Sequence, residues 1–280
     1  MEAAQKSKEE MSEPDRWVDR WWRGIVAKYD ALDITLGGSL VVHTATYWGS
    51  GLLLLLLERA FPGFASRYKT QPGRTVGALA LAKLLRRVLA NQAMLLAGFL
   101  LIRKVRPKPL VDHAERLVRQ PVPSLARVTK EYVFNLGVFE VVFYVLHRAL
   151  HHQRWYRYIH KIHHEFKYPI ALASEYAHFV ELIMSNIIPG AVGPAISQAH
   201  PLSTFTWLFG SILMTNFHHS GMNLPFYPLN YMTRAHDWHH LMFTDQFGVV
   251  GAMDSVLRTT GGKDYNSFAS EIVNRVGFGY

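Results

Sequence analysis

Cysteine is absent from this 280-residue chain, and its absence removes several kinds of site at once. Without a thiol the protein has no disulfide, no thiolate zinc site, no iron–sulfur cluster and no cysteine nucleophile. A chain of this composition is compatible with a reducing compartment. Any metal site must therefore be built without thiolate ligands.

The sequence also lacks the strict polar–apolar alternation that predicts a half-buried strand. Its first ten residues, MEAAQKSKEE, show neither the apolar core of a secretory signal nor an arginine-rich transit peptide. No nucleic-acid-binding module is recognisable, although the formal net charge is +9. Because the basic residues lie mostly beside apolar runs, the positive charge is more typical of a protein that contacts a membrane surface. We therefore expect the membrane as a partner and expect no nucleic acid.

Long apolar runs are present instead. The first, residues 36–57, contains six consecutive leucines and no Lys, Arg, Asp or Glu. At about 1.5 Å per residue, a helix of this length can cross a hydrocarbon core of about 30 Å. We expect an all-α, polytopic membrane helical bundle of about two transmembrane hairpins, topped by a histidine-rich helical cap in the cytosol. The hairpins pair residues 36–57 with about 82–102, and 179–197 with 202–217.

Another apolar segment, residues 132–146, is only fifteen residues long. It is predicted not to cross the membrane alone but to enter the cytosolic leaflet partway or to pack as a buried helix that carries the first histidine box. Before it, residues 103–130 carry eight Lys or Arg and four prolines, which predicts a loop-rich connector on the cytosolic side, shared with the histidines. The predicted domains are a tail with an interfacial helix (1–35), a hairpin with its connector (36–130), a histidine-box domain (131–262) and a C-terminal tail (263–280).

Histidines are concentrated in one part of the chain. Thirteen of the fifteen lie between residues 147 and 240, and the other two are His43 and His113. Residues three and four apart share one face of a helix, so each box directs its imidazoles to a common point. The boxes are His147 and His151, then His160, His163 and His164, and finally His236, His239 and His240.

A lone histidine is most often a satisfied core residue, but a repeated box favours metal binding. The boxes offer eight histidines, and His219 makes nine, whereas one ion takes about four to six ligands, so two ions are predicted. Affinity order alone excludes neither zinc nor copper. His152 could replace His151 as a ligand, His178 and His218 are further candidates, and His200 is predicted to be structural.

Carboxylates near the boxes could accept a proton from the non-ligating ring nitrogen and orient the ring. The candidates are Glu140, Glu165, Glu175, Glu181, Asp237 and Asp254. A histidine-rich metal transporter would need ionisable residues along its spans, and His43 is the only one in the first span, so transport is disfavoured.

The motifs HRALHH (147–152), HKIHHEF (160–166), HHSG (218–221) and AHDWHH (235–240) resemble the fatty acid hydroxylase superfamily in order and spacing, over about residues 130–262. That superfamily includes 4-methyl-sterol oxidases, sterol desaturases, and sphingolipid and fatty-acyl hydroxylases. The run HKIHHEF followed by YAH is most similar to the 4-methyl-sterol oxidase branch and to fatty-acid-hydroxylase-domain proteins. Phe179 departs from the proline usual in the sterol oxidases, so the substrate lipid and its oxidised carbon stay open.

The resemblance implies a non-haem di-iron oxygenase that hydroxylates or oxidises a lipid, a sterol first of all. Alternatives are a sphingolipid or fatty-acyl hydroxylase, a sterol desaturase, or a non-catalytic lipid-binding relative. It further implies two Fe ions, O2, NAD(P)H-derived electrons from a b-type cytochrome or its reductase, and the endoplasmic reticulum membrane with the boxes facing the cytosol. The implied ligands are His147, His151, His160, His163, His164, His219, His236, His239 and His240.

Overall fold

The computed structural model describes residues 16–276, in which the regular elements are helices. One isolated bridge joins Lys69 to Met222, and short 3-10 turns cover His160–Glu165 and Ala171–Glu175. The helices are α1 (Trp17–Lys28), α2 (Asp33–Ala60), α3 (Pro62–Tyr68), α4 (Ala78–Val105), α5 (Lys108–Val118), α6 (Leu125–Leu150), α7 (Gln153–Tyr156), α8 (Phe179–Ser197), α9 (Pro201–Ser220), α10 (Asn230–Met242), α11 (Ala252–Leu257) and α12 (Gly262–Val276).

Four of these helices, α2, α4, α6 and α8, are long and apolar enough to cross a membrane. Many of their large apolar side chains point outward, as expected for surfaces that face lipid. Leu56 of α2 is 63% exposed and Leu101 of α4 is 61% exposed. The predicted all-α polytopic membrane bundle is confirmed.

Helix α6 corrects the prediction for the segment at residues 132–146. It begins at Leu125, where Ser124 caps it by accepting a hydrogen bond from the backbone N–H of Arg127 at 3.3 Å. Its polar first turns are stabilised by a pair four residues apart, Arg127 with Glu131 at 2.8 Å. At 26 residues the helix is about 39 Å long, so the expected length of fifteen residues was wrong, and the segment belongs to a helix long enough to cross a membrane. The helix carries His147 of the first box.

The basic connector is also more ordered than predicted. Most of residues 103–130 are helical, and proline begins α5 instead of breaking it, because Pro109 occupies the first turn, where no intrahelical N–H donor is needed. The prolines of the segment 119–124 then separate α5 from α6.

Ion pairs show which ends of the helices meet. Arg103 binds Asp33 at 2.7 Å, which joins the end of α4 to the start of α2. At the other end of α2, Lys69 binds Glu58 at 2.7 Å and donates to the Pro169 carbonyl, beside the second histidine box. The connector and the boxes therefore lie at opposite ends of the bundle. Helices that cross a membrane completely would place these two ends on opposite sides, whereas the sequence predicted one shared side.

The 3-10 turn Ala171–Glu175 is inserted between α2 and α9. Tyr47 of α2 donates a hydrogen bond from its hydroxyl to the Leu172 carbonyl at 2.6 Å, and Ser174 donates to Asn216 of α9 at 2.6 Å. A Cβ on Gly51 would lie 2.4 Å from the end of the Leu172 side chain, so any larger residue would force that buried side chain to move. The contacts set the depth of the second histidine box in the bundle.

Candidate metal centre

The nine histidines named from the sequence converge at one end of the bundle. They come from α6 and the residue that follows it, the 3-10 turn His160–Glu165, the end of α9, and α10, which meet there. One group of five contains His147, His151, His160, His164 and His239. A second group of four contains His163, His219, His236 and His240.

Within each group the Nε2 atoms lie close together. In the first group, Nε2 of His160 is 3.1 Å from Nε2 of His147 and 2.8 Å from Nε2 of His151. In the second group, Nε2 of His236 is 2.9 Å from that of His219 and 3.0 Å from that of His240. Ligands about 2.1 Å from one ion at right angles are about 3 Å apart, so these spacings fit a metal ion in each group.

The outer ring nitrogens explain why the inner ones point together. Five Nδ1 atoms donate hydrogen bonds away from the centre, which leaves the lone pair on the corresponding Nε2 atoms. Converging lone pairs repel one another unless a cation lies between them. The acceptors are the carbonyls of Phe247 for His147, Tyr176 for His163, Thr215 for His219 and Asp245 for His239, and the carboxylate of Glu181 for His160.

Burial keeps these imidazoles neutral. Desolvation lowers the pKa of His163 from 6.5 to about 4, and desolvation together with neighbouring imidazoles lowers the pKa of His151 to about 2. The other clustered histidines that lie outside α6 also have a pKa well below 6.5, and desolvation is the largest cause for each of them. Neutral imidazole is the metal-binding form, so protons do not compete for the site near neutral pH.

A loop after α10 supplies two of the outer acceptors and is itself held by buried carboxylates. Glu140 of α6 accepts hydrogen bonds from the backbone N–H groups of Val249, Val250 and Met253 at 2.7–2.9 Å. Asp254 accepts from the backbone N–H groups of Phe247 and Gly248. These contacts fix the Phe247 carbonyl against His147. The two carboxylates therefore orient a ring indirectly, by holding the loop, which the sequence did not predict.

The six carboxylates predicted to orient the histidine rings differ in the groups that they contact. Glu181 alone of the six bonds to a clustered histidine, at 2.7 Å from His160 Nδ1. Glu165 instead binds Lys83 and the Tyr176 hydroxyl, and Asp237 accepts from Gln71 at 2.7 Å. Glu175 binds His43 at 2.9 Å, away from both groups.

The remaining histidines of the boxes and their neighbours lie outside the two groups. His152, His178 and His200 each cap the start of a helix by accepting a backbone N–H on Nδ1. The structural role predicted for His200 agrees with this, and its ring packs on Trp22 at 4.7 Å between centroids. His218 is buried, and its Nε2 lies 3.1 Å from the Tyr227 hydroxyl.

Two cavities adjoin the centre on the side facing the bundle. A small pocket of about 40 Å³, here called the metal pocket, is lined by residues including His147, His163 and His219. A much larger one of about 530 Å³, here called the apolar cavity, lies between α2, α4, α8 and α9. Both are lined by Phe139, Ser174, Asn186 and Thr215, so the apolar cavity leads to the histidines.

Fold and site define a helical membrane protein with clustered histidines suited to two metal ions above an apolar cavity. A family model described as fatty acid hydroxylase matches residues 132–259. The fatty acid hydroxylase domain-containing protein 2 of Homo sapiens is 35% identical over 85% of this chain and 71% of that protein. The chain belongs to the fatty acid hydroxylase family.

Two further relatives extend the comparison. The fatty acid hydroxylase ahd1 of Mycosarcoma maydis is 33% identical over 88% of this chain and 62% of its own length. The methylsterol monooxygenase 2-2 of Arabidopsis thaliana is 30% identical over 81% of this chain and 85% of that protein. No solved structure matches the chain.

Proposed function

We propose that this protein is a membrane-bound di-iron oxygenase that hydroxylates or oxidises a lipid at an unactivated C–H bond. The observation that carries the proposal is the convergence of nine neutral, buried histidines in two groups at the end of an apolar cavity. Family membership supports an oxidoreductase that modifies lipids. A sterol is the preferred substrate, because a methylsterol monooxygenase covers most of the chain.

The nine predicted ligands would hold one ion in each group, and bound iron would supply the activation of molecular oxygen that no side chain can perform. The protein contributes geometry. Outward hydrogen bonds from five Nδ1 atoms keep the corresponding Nε2 atoms unprotonated and aimed inward, and Glu181 does this for His160 through a buried carboxylate. Phe139 and Val249 line the metal pocket with apolar surface, which would limit the access of bulk water to a bound lipid.

The reaction also needs electrons, which the family resemblance assigns to NAD(P)H through a b-type cytochrome or its reductase. Such a donor is available in the cytosol, so we place the histidine end of the bundle on the cytosolic face of the endoplasmic reticulum membrane. The connector around α5 would then face the lumen.

Metal content tests the proposal directly. Protein purified in mild detergent and loaded anaerobically with ferrous iron is expected to hold about two ions per chain, and His163→Ala or His239→Ala, one from each group, should hold fewer and lose lipid turnover. The control variants His152→Ala and His178→Ala remove helix caps outside the groups and should keep both ions. A saturating content of one ion in the wild type, or equal losses in all four variants, would contradict the two-metal site.

A further inference from the structure

The apolar cavity runs lengthwise through the half of the bundle below the metal pocket. Its inner end shares Ser174 and Asn186 with that pocket, and its outer end lies against Leu110 and Leu117 of α5. A long hydrocarbon body fits along this axis. What distinguishes one lipid from another must then be the polar groups in the wall.

Most polar side chains of the wall are already bonded within the protein. Four wall hydroxyls donate to backbone carbonyls of their own helices, and Ser174 bonds Asn216; the four belong to Thr35, Ser39, Ser211 and Thr215. Such groups offer little to a ligand because their donors are in use.

His43 differs from these side chains. Its Nε2–H donates to Glu175 Oε1 at 2.9 Å, and its side chain is only 12% exposed. Gln92 donates to Glu175 Oε2 at 3.0 Å, and Trp48 donates to Gln92 at 2.8 Å, so the carboxylate is held in place. In the neutral ring this arrangement places the proton on Nε2 and leaves Nδ1 as an acceptor.

Nδ1 of His43 is buried and has no hydrogen-bond partner anywhere in residues 16–276. A buried polar atom without a partner costs free energy, which a ligand that supplies a donor would recover. The partner of His43 also connects it to the metal centre. Glu175 is followed directly by Tyr176, whose carbonyl accepts a hydrogen bond from His163. His43 therefore marks the inner, metal-proximal part of the apolar cavity.

On the basis of the proposed function, we propose that His43, held by Glu175, binds the hydroxyl of a neutral lipid alcohol whose hydrocarbon body fills the apolar cavity. A hydroxyl fits because it donates to Nδ1 and can also accept. The carbon presented to the metal pocket would then lie only a few bonds from that hydroxyl, at the polar end of the lipid and not at its tail.

The charges in the cavity wall further restrict the class of lipid that can bind. The wall of the apolar cavity, taken over the described residues, contains Glu175 and no Lys or Arg. A phosphate or free carboxylate would stand unpaired beside a carboxylate, which is unfavourable away from water. An uncharged alcohol such as a 3-hydroxysterol avoids this cost, whereas phospholipids and free fatty acids do not.

Binding to the full-length protein in detergent tests the inference without turnover. The probes are a radiolabelled 3-hydroxysterol and its 3-deoxy analogue. The wild type is expected to bind the alcohol at least about ten-fold more tightly, equivalent to about 1.4 kcal/mol. In His43→Leu the ratio should fall to about one, while the matched variant His113→Leu, at the outer end of the same cavity, should keep it.

Absence of saturable alcohol binding, or equal binding of both probes by the wild type, would overturn the inference without any variant. Loss of discrimination in His113→Leu instead of His43→Leu would reverse the orientation of the lipid and overturn it as well. Iron content measured on the same preparations reports on the metal centre alone, so a failure here is separable from a failure of the proposed function.

Discussion

Glu181 occupies a position where one side chain controls the orientation of a predicted ligand. The residue is 3% exposed, and its carboxylate accepts the Nδ1–H of His160 at 2.7 Å. We expect Glu181→Leu to lower iron affinity roughly 10- to 100-fold, because the ring loses the acceptor that keeps Nε2 unprotonated and aimed inward. The measurement is competition for ferrous iron against a chelator.

Glu165 provides the control for that variant. It stands next to His164 in sequence, but its carboxylate binds Lys83 and Tyr176 and no clustered histidine. Glu165→Gln should leave iron affinity nearly unchanged. A similar loss in both variants would mean that negative charge near the centre matters and the specific hydrogen bond does not.

His200 makes a residue-scale prediction about pH. Burial, followed by the nearby Arg127, lowers its pKa from 6.5 to about 4. The unfolded chain therefore takes up a proton between those values while the folded chain does not, so stability contributed above pH 6.5 is lost as the pH falls toward 4. His200→Asn preserves a helix cap but cannot titrate in this range.

The variant should therefore lose less thermal stability than the wild type when the pH is lowered from about 7 to about 5. Apparent unfolding temperatures of iron-loaded protein in detergent, compared at the two pH values, measure this difference. Equal losses in the two proteins would show that His200 does not contribute to acid sensitivity.

At the scale of elements, the packing of α8 on α6 depends on one small residue. A Cβ on Gly193 would lie 2.7 Å from Asn135 Oδ1 and 3.0 Å from its Cα, so the two helices would have to separate. We expect Gly193→Ala to destabilise the protein by roughly 1–3 kcal/mol, as overpacking commonly does.

Gly190 lies in the same helix, and a Cβ there would meet nothing within 4 Å. Gly190→Ala should therefore be tolerated. Thermal unfolding of the two variants compares them under identical conditions. Equal unfolding temperatures would show that α8 and α6 are not tightly constrained at Gly193.

At the scale of the whole molecule, the opposite placement of connector and boxes predicts a topology. The absence of natural cysteines permits single labels, and Ser124 beside the connector and Ser270 beside the histidine end are both exposed. In sealed microsomes an impermeant thiol reagent should label Ser270→Cys from outside and reach Ser124→Cys only after detergent is added.

The two variants control for each other, because both must react once the membrane is dissolved. Labelling of both from outside would mean that the bundle does not cross the membrane completely. Labelling of Ser124→Cys alone would place the histidine end in the lumen and remove the argument for a cytosolic electron donor.

The sequence by itself determined the helical class, the apolar lengths of the main spans and the identity of the clustered histidines. These follow from local rules. Residues spaced three and four apart lie on one helix face, and the length of an apolar run shows whether it could cross a membrane. The extent of α6 was missed because Arg127 and Glu131 read as polar connector, although their pairing extends the helix.

Only the tertiary structure decided how the histidines divide. His163 and His164 are adjacent in sequence yet belong to different groups, because the short 3-10 turn directs them apart. It also decided which acceptors orient the rings, since four of the five are backbone carbonyls, which range from Thr215 in the same helix as His219 to Phe247, 100 residues along the chain from His147. A carbonyl is present at every residue, so its partner depends on packing and leaves no mark in the sequence.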